Sequence, residues 1–441
     1  MNKRLMSSLL IGTMSLSALA GCSRAPAESA AGNVSTPAAT TAAAEAEGEA
    51  KNNITIEKKI GDISKEDESK FRQGYLDFTF EMLKQNLERD GKNSNIMISP
   101  ASLMLALDMT ASGASGNTLT QMTGLYGGAA DPQGQLSYAS ELFNRMNSAN
   151  GVKLRAADSI WVNKEGMPEG LKDDYVDFVK KFFDAEIASL VFDDSALNRI
   201  NGWVSEKTDK MIPSILDSLD PSTVMVLINA ISFDGKWAKA YEDYDVTEGV
   251  FTSASGDKQK ANMMSSTEEY YLENDKTEGF IKYYEGDQYA FVVMLPKDAN
   301  QNAGDIISGF TGESFDEYIN SATSDYLLLT KMPEFSSDWG RSVVPDLQAL
   351  GMQDPFNPSA ADFSGINGMG GLFISNVIHK THIEVNREGT RAAAVTAVTM
   401  DKCEAIDTRE VKEVVCDRPF AYAIVDTTDN TPVFIGTVNN I

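Results

Sequence analysis

The chain has 441 residues, of which 42% are hydrophobic, and its formal net charge is −26. These values are typical of a soluble protein with a large core, and the acidic balance excludes a nucleic-acid-binding surface, which needs a basic face. The chain contains two histidines, His379 and His382, and three cysteines, with no zinc-type spacing and no disulfide framework. We therefore expect no metal and no cofactor.

The N-terminus has the pattern of an export signal. Lys3 and Arg4 precede an apolar stretch that ends in Leu-Ala-Gly-Cys, with Cys22 as its last residue. This ending resembles the bacterial lipobox, in which the cysteine becomes the new N-terminus and carries lipid. We expect residues 1–21 to be a lipoprotein signal peptide, and lipid on Cys22 to hold the protein on a membrane without a spanning helix.

The segment after this cysteine is predicted to be a tether. Residues 22–65 are rich in Ala, Glu, Ser, Thr and Gly, with almost no large apolar side chains. Such a composition cannot offset the entropy of ordering, so we expect a flexible linker between the lipid and a folded body. The predicted location is extracytoplasmic, either anchored to a bacterial cell membrane or secreted after release.

The first half of the folded body reads as mainly helical. After Glu66, large apolar residues recur at helical spacing up to the turn signal Asp90-Gly91. Pro100 opens a second helix that extends to about Thr110, and an amphipathic helix over residues 196–212 stops before Pro213. A short strand is predicted at residues 158–162.

The second half contains apolar runs rich in β-branched residues, which predict strands. They lie at residues 224–233, 289–296, 326–335 and 372–385, and a final hairpin turns at Asp429-Asn430. Early helices followed by mixed strands indicate an α+β fold, most simply as one large domain.

Five segments together resemble one protein family. They are NIMISPAS, INGWVSEKTDKMI, LINAISFDGKWAKAY, VIHKTHIEVNREGTRAAA and DRPFAYAIVD…PVFIGTV. Their order and spacing are similar to those of the serpins, from about residue 70 to the C-terminus. The resemblance implies a single large domain at residues 66–441, with three β-sheets, surrounding helices and an exposed reactive loop at about residues 387–412.

In serpins, a protease cuts the loop and the segment before the cut then enters a large sheet as a new strand. The run EVNREGTRAAAVTAVTM at residues 384–400 suits that step, because its alternate side chains are small and uncharged from Thr390 onward. The outward face begins with Arg391. Gly389 is expected to let the backbone swing. The predicted hinge consists of Gly389, Thr390, Ala392, Ala393 and Ala394.

The family's usual distance from the hinge glycine places the scissile bond at Cys403–Glu404, which suits elastase-like proteases with shallow pockets. A shift of one residue puts Lys402 before the bond and suits a trypsin-like enzyme. Counting back from Pro419 instead gives Thr408, with Arg409 adjacent. Cys403 could also pair with Cys416, or an exposed thiol could act as a redox switch.

The resemblance also assigns residues to the region where the sheet opens. A polar cluster under the sheet comprises Ser99, Ser102, Asn229 and His379, and Trp237 lies at the top of the opening. Serpins usually carry Glu where Arg387 stands, paired with a basic residue where Glu334 stands. Both signs are reversed in this chain, so we expect an Arg387–Glu334 ion pair within about 4 Å.

The resemblance implies an irreversible suicide-substrate inhibitor of serine proteases, with cysteine proteases as a further target class. Such an inhibitor supplies no catalytic group. It acts as a monomer and forms a covalent complex with the protease. The alternative is a non-inhibitory surface lipoprotein of the same fold, with a binding or structural role. An enzyme is disfavoured, because both histidines lie in one strand and no phosphate-binding glycine loop is present.

Overall fold

The computed structural model describes residues 54–167, 170–390 and 407–441. The predicted signal peptide, Cys22 and most of the predicted tether lie outside these ranges. The residues in these ranges belong to one compact unit. No helix in the described ranges is long and apolar enough to cross a membrane.

Helices dominate the first half of the unit and recur as short segments in the second. Their bounds are α1 (Lys65–Asp90), α2 (Pro100–Ala111), α3 (Gly116–Gly124), α4 (Pro132–Asn147), α5 (Asp173–Phe183), α6 (Asp194–Lys207), α7 (Ala303–Gly309), α8 (Gly312–Asn320), α9 (Val344–Ala349) and α10 (Ser364–Asn367).

The strands form three sheets. The central sheet has the order β11 (Phe335–Ser342), β12 (Asn376–Asn386), β13 (Gly389–Thr390), β4 (Met225–Lys236), β2 (Val152–Asn163), β3 (Glu186–Leu190). The second has the order β1 (Met97–Ile98), β16 (Thr431–Val438), β15 (Phe420–Asp426), β9 (Tyr289–Pro296), β8 (Thr277–Tyr283), β7 (Tyr270–Glu273). The third has the order β14 (Glu410–Val415), β10 (Tyr326–Pro333), β6 (Lys258–Glu268), β5 (Val246–Thr252). Three sheets and flanking helices in one unit confirm the predicted α+β class.

Helix α1 illustrates how the sequence sets local structure. The Ser64 side chain caps its first turn by accepting from the backbone N–H of Asp67, and Gly91 follows its last residue. The apolar residues at helical spacing are buried, as predicted.

The folded body begins before the predicted boundary at residue 66. Ile56 is buried against the core, Thr55 forms a β-bridge with Ser115, and the Lys58 ammonium lies 2.7 Å from the Asp174 carboxylate. An isoleucine at every few positions supplies enough apolar surface to dock this stretch. Residues 54–63 of the predicted tether therefore contact the body.

Three predicted elements have different bounds. Strand β2 spans twelve residues, whereas the predicted strand covered only residues 158–162. The prediction was too short because Arg155 and other polar residues occupy the outward-facing positions of the strand. Helix α6 ends at Lys207, well before Pro213. The run at 326–335 divides into β10 and β11 at Pro333, which lacks the N–H needed to continue a ladder.

Candidate functional site

The first two residues of the predicted hinge, Gly389 and Thr390, form the short strand β13 at one end of the central sheet. It folds back on β12 as a hairpin, with Asn386 opposite Gly389 and Val385 opposite Thr390. On its other side Thr390 pairs with Gly235 of β4. Gly389–Thr390 therefore lies between β12 and β4, and it fills only the first two positions of that gap.

Thr390 faces the protein interior. It is fully buried, and its Oγ1 lies 2.6 Å from the hydroxyl of Tyr284. Val385, its partner on β12, is buried as well. The inward position that the sequence predicted for Thr390 agrees with this geometry.

Gly389 is also required for a reason that the sequence did not predict. A Cβ atom at this position would lie 2.1 Å from the carbonyl oxygen of Gly235 and 2.8 Å from the Cα of Lys236. These contacts are with backbone, so they cannot be relieved by a side-chain rotation. Glycine is therefore needed here for close approach of two strands.

Below the hinge, β12 and β4 pair directly with each other. Their parallel register runs from Asn376–Val226 to His382–Ser232. We call this stretch the seam. Because the two strands are hydrogen-bonded along the seam, a strand could enter between them only after these pairs had separated.

The polar cluster lies at the middle of the seam. His379 and Asn229 are opposite each other in the register, and the imidazole Nδ1–H donates to the amide oxygen of Asn229. The other ring nitrogen, Nε2, accepts from the backbone N–H of Ser99 at 3.0 Å. The Asn229 amide donates to Ser102 Oγ at 2.5 Å. The four predicted residues are therefore in one buried network.

Protonation of this network is set by burial. Removal from water lowers the pKa of His379 to about 3, so the imidazole is neutral at physiological pH. A neutral ring can accept from Ser99 and donate to Asn229 at the same time. Its role is structural, as predicted, and not acid–base.

Asp158 is a further member that sequence reasoning missed. It lies on β2 opposite Asn229, whose amide donates to its Oδ1 at 2.5 Å. Burial raises the pKa of this carboxyl to about 7. An aspartate at the start of the strand predicted at residues 158–162 was the available signal, but its partner is 71 residues away in sequence.

Trp237 lies directly after β4, at the top of the seam. Its ring stacks on that of Tyr284 at a centroid distance of 4.5 Å. The indole N–H donates to the carbonyl of Asn386 at 2.9 Å, and its backbone N–H donates to the carbonyl of Glu388 at 3.0 Å. Trp237 thus ties the end of β4 to the turn that precedes the hinge.

Arg387 lies in that turn. Its Nε is 3.4 Å from Glu334 Oε1, within the distance expected from the reversed charges. Its NH1 is also 2.8 Å from Asp243, a second partner that the sequence did not predict. Both pairs are partly open to solvent, so each contributes little to stability.

A sequence profile described as Serpin (serine protease inhibitor) matches residues 73–441. The chain belongs to the serpin family.

Relatives agree with this assignment. The serpin is 31% identical over 370 residues to Serpin B8 of Homo sapiens, covering 79% of this chain and 94% of the relative. It is 29% identical over 373 residues to leukocyte elastase inhibitor A of Mus musculus, covering 81% and 96%. Its fold is similar to that of the thermophilic serpin tengpin in the native state, with a TM-score of 0.78, 35% identity, and coverage of 88% and 98%. Against tengpin in the latent state the TM-score is 0.72.

The predicted scissile bond lies outside the described residues. This applies to Lys402, Cys403 and Glu404, and to the hinge residues Ala392, Ala393 and Ala394. The alternative pair is described: Thr408 and Arg409 immediately precede β14, which begins at Glu410. Both ends of the loop predicted at residues 387–412 therefore belong to β-sheets: the first end contains β13, which ends at Thr390, and the second contains β14, which begins at Glu410.

Arg409 is already engaged by neighbouring groups. Its guanidinium lies 2.6 Å from the Asp407 carboxylate and donates to the carbonyl of Ser324 at 3.0 Å. These contacts hold the side chain against the body at the base of the loop. They disfavour the alternative bond at Thr408–Arg409.

Cys416 does not fit the role of an exposed thiol. It is a free cysteine, it is fully buried, and burial raises its pKa well above the ordinary value. The redox-switch interpretation therefore does not apply to Cys416. Among residues 54–167, 170–390 and 407–441, no group of three or more His, Cys, Asp or Glu side chains could hold a metal ion.

Proposed function

We propose that this serpin is an irreversible suicide-substrate inhibitor of serine proteases, with loop insertion as the trapping step. The observation that carries the proposal is the position of Gly389–Thr390 between β12 and β4. The hinge is in register with both strands, and the seam below it is closed. This is the arrangement needed before insertion, with the first pairs of the new strand already made.

The register predicts where the rest of the loop would go. Continued one residue at a time from Thr390, it would place Ala393 opposite His382 on one side and Ser232 on the other. Each further residue would replace one direct pair of the seam. The residues that would point inward are those with small, uncharged side chains, which enter a packed interior with little strain.

The same register would bring Thr396 between His379 and Asn229. Their direct hydrogen bond must break at that point, and a buried group left unpaired is costly. A threonine hydroxyl both donates and accepts, so it can bond both partners across the widened gap. The polar cluster is therefore suited to both states of the sheet.

The chemistry comes from the protease. Its serine Oγ attacks the carbonyl carbon before the scissile bond, and its histidine takes the serine proton. The peptide C–N bond breaks, the proton passes to the leaving amine, and an ester joins the protease to the inhibitor. Loop insertion would then carry the protease along the sheet and distort its active site before water can cleave the ester.

We infer that the scissile bond is Cys403–Glu404 and that the target has a shallow specificity pocket. The small side chain before the bond supports an elastase-like enzyme. The similarity to leukocyte elastase inhibitor A of Mus musculus is consistent with that class. Engagement of Arg409 by Asp407 further supports a bond upstream of Thr408.

The direct test is incubation with a panel of elastase-like, trypsin-like and cysteine proteases. Denaturing gels should show a complex that survives boiling, together with a released C-terminal peptide that begins at Glu404. A peptide that begins at Cys403 would indicate the trypsin-like alternative. Cleavage by every protease with no covalent complex would contradict the proposal and favour the non-inhibitory surface lipoprotein.

We further propose that the mature chain is a monomer that begins at lipidated Cys22. The charged start, apolar stretch and Leu-Ala-Gly-Cys ending support this processing. The lipid chains would hold the serpin on a bacterial membrane, outside the cytoplasm. Mass spectrometry of the mature N-terminus tests this, with Cys22→Ser as the variant that should leave the protein unlipidated and its precursor uncleaved.

A further inference from the structure

Lys282 is a buried lysine beside the top of the seam. It lies on β8, its side chain is 2% exposed, and its ammonium is 2.8 Å from the Glu268 carboxylate on β6. The family resemblance gave no role to either residue. Burial lowers the pKa of Lys282, and the carboxylate of Glu268 opposes that shift. A buried ammonium is stable only where neighbouring groups compensate for its lost hydration.

Two aromatic rings complete its surroundings. The ammonium lies 4.3 Å from the centroid of the Tyr241 ring and 5.5 Å from that of Trp237. Both rings therefore present a face to the cation, which attracts it electrostatically, and the attraction is strongest where water is excluded. We call Lys282, Glu268, Tyr241 and Trp237 the lysine clamp.

The residues that supply the rings also hold the loop. The backbone N–H of Tyr241 donates to the carbonyl of Arg387 at 2.9 Å, and that of Trp237 donates to Glu388. The indole of Trp237 donates to Asn386. Both residues therefore face Lys282 with their rings and bond the turn before the hinge with their backbone N–H groups.

The clamp also joins different sheets. Lys282 belongs to β8 of the second sheet and Glu268 to β6 of the third, whereas Trp237 follows β4 of the central sheet. Ser266 donates to Glu268 at 2.5 Å and bonds Thr330 at 2.9 Å, which extends the network to β10. Separation of β4 from β12 must either break the backbone bonds from Trp237 and Tyr241 to the turn at residues 387–388 or move the two rings away from Lys282.

We propose that Lys282 is a positioning residue that delays opening of the seam until the loop is cut. It holds the rings of Trp237 and Tyr241 in place, and through them the end of β4 and the turn at residues 386–388. This inference rests on the proposed inhibitory function. The Lys282–Glu268 ion pair, which lies outside both the hinge and the polar cluster, would then set when insertion begins.

The test compares Lys282→Met, which fills the same space without charge, with Lys260→Met. Lys260 forms an exposed pair with Glu248 on the third sheet and does not contact the clamp. Uncut protein is held a few degrees below its melting temperature, and the fraction whose loop a protease can still cut is followed over time. Lys282→Met should lose its cuttable loop about tenfold faster than wild type, since it loses both the cation–π contacts and the buried pair, whereas Lys260→Met should match wild type.

Two further measurements separate a positioning role from general stability. The melting temperature of the already cut protein should be the same in Lys282→Met and wild type, because the clamp acts before insertion. Glu268→Gln should accelerate loss of the cuttable loop in the same way. Lys282→Arg, which keeps the positive charge, should lose the cuttable loop at about the wild-type rate. These two variants also decide the matter if Lys282→Met does not fold.

Loss of the cuttable loop at the wild-type rate in Lys282→Met or Glu268→Gln would overturn the proposal. An equal drop in melting temperature for the cut and uncut forms of either variant would also overturn it. Failure of the inhibitory function would look different. In that case cut wild-type protein would gain no thermal stability, whatever the variants do.

Discussion

The Oγ1 atom of Thr390 lies 2.6 Å from the hydroxyl of Tyr284, so the first inward-facing residue of the loop is already inside the protein. Tyr284 in turn stacks on Trp237, which bonds the turn before the hinge. The contact therefore joins the start of the inserted strand to the aromatic residues at the top of the seam. Any side chain at position 390 must fit a buried, polar position in the uncut protein.

Replacement of Thr390 by Arg tests that position. A guanidinium buried there without a partner would cost more than about 2 kcal/mol, so the hinge should leave the sheet and insertion should slow. The protease would then hydrolyse the ester before it is trapped. We expect denaturing gels to show mostly cut inhibitor and little covalent complex. Thr390→Ser, which keeps the hydroxyl, should retain the wild-type ratio of complex to cut protein; a wild-type ratio in Thr390→Arg would contradict this account.

His379 should be essential to the stability of the uncut protein. Replacement by Ala leaves the Ser99 N–H and the Asn229 carbonyl oxygen without their partner, and it also creates a cavity. We expect the free energy of unfolding to fall by roughly 2–5 kcal/mol, measured by guanidinium denaturation. His382→Ala is a matched control on the same strand, because among the described residues its side chain bonds only Asp338, at the surface. A loss of similar size in both variants would count against a special role for the buried network.

Asp158 should make the uncut protein less stable as the pH rises. Its pKa is raised to about 7 in the folded state, above the ordinary value near 4, so the folded state binds more protons than the unfolded state between these values. Stability from this group is complete below about pH 4 and is lost as the pH rises through about 7. The loss amounts to roughly 4 kcal/mol for a shift of this size. Asp158→Asn should remove it.

The measurement for Asp158 is the free energy of unfolding from pH 4 to pH 9. Asp108 needs a parallel variant, because burial also raises its pKa, to about 8, and its carboxylate bonds only Gln135 among the described side chains. Asp108→Asn should remove a separate part of the slope, and the two effects should add because the sites are distinct. A pH dependence unchanged by Asp158→Asn would show that the carboxyl is ionised at little cost.

The Arg387–Glu334 pair should matter little by itself and should tolerate reversal. Arg387→Glu would place three carboxylates together, with Glu334 and Asp243, and should destabilise the protein by about 1 kcal/mol. Adding Glu334→Arg should recover most of that loss, and a double-mutant cycle measures the coupling. The coupling should shrink in high salt. Zero coupling at low salt would mean that the two side chains do not interact electrostatically, and it would contradict this prediction.

The sequence predicted those parts of the site that short segments carry. His379 and Asn229, which line the seam, each lie in one of the five segments that resemble serpin sequences. The hinge could be identified from its small side chains. Asp158, Lys282 and Asp243 could not be identified, because each acquires its role only when strands distant in sequence become neighbours. The need for Gly389 was predicted from chain flexibility, whereas the structure shows a close approach to Gly235.

The element bounds show the same limit. Apolar runs located β4, β9 and the final hairpin, since strands buried on both faces are continuous in hydrophobicity. Strand β2 was underestimated because part of it faces outward with polar side chains. The docking of residues 54–63 was missed, because composition alone does not reveal which surface a few isoleucines will cover.

The most direct test of loop insertion is the melting temperature before and after the loop is cut. If the uncut protein is held above a lower-energy inserted form, a single cut should raise the melting temperature by more than about 10 °C, which corresponds to several kcal/mol for a domain of this size. Thr390→Arg should show a smaller gain. An unchanged melting temperature in cut wild-type protein would contradict the account, because no energy would then be available to trap a protease.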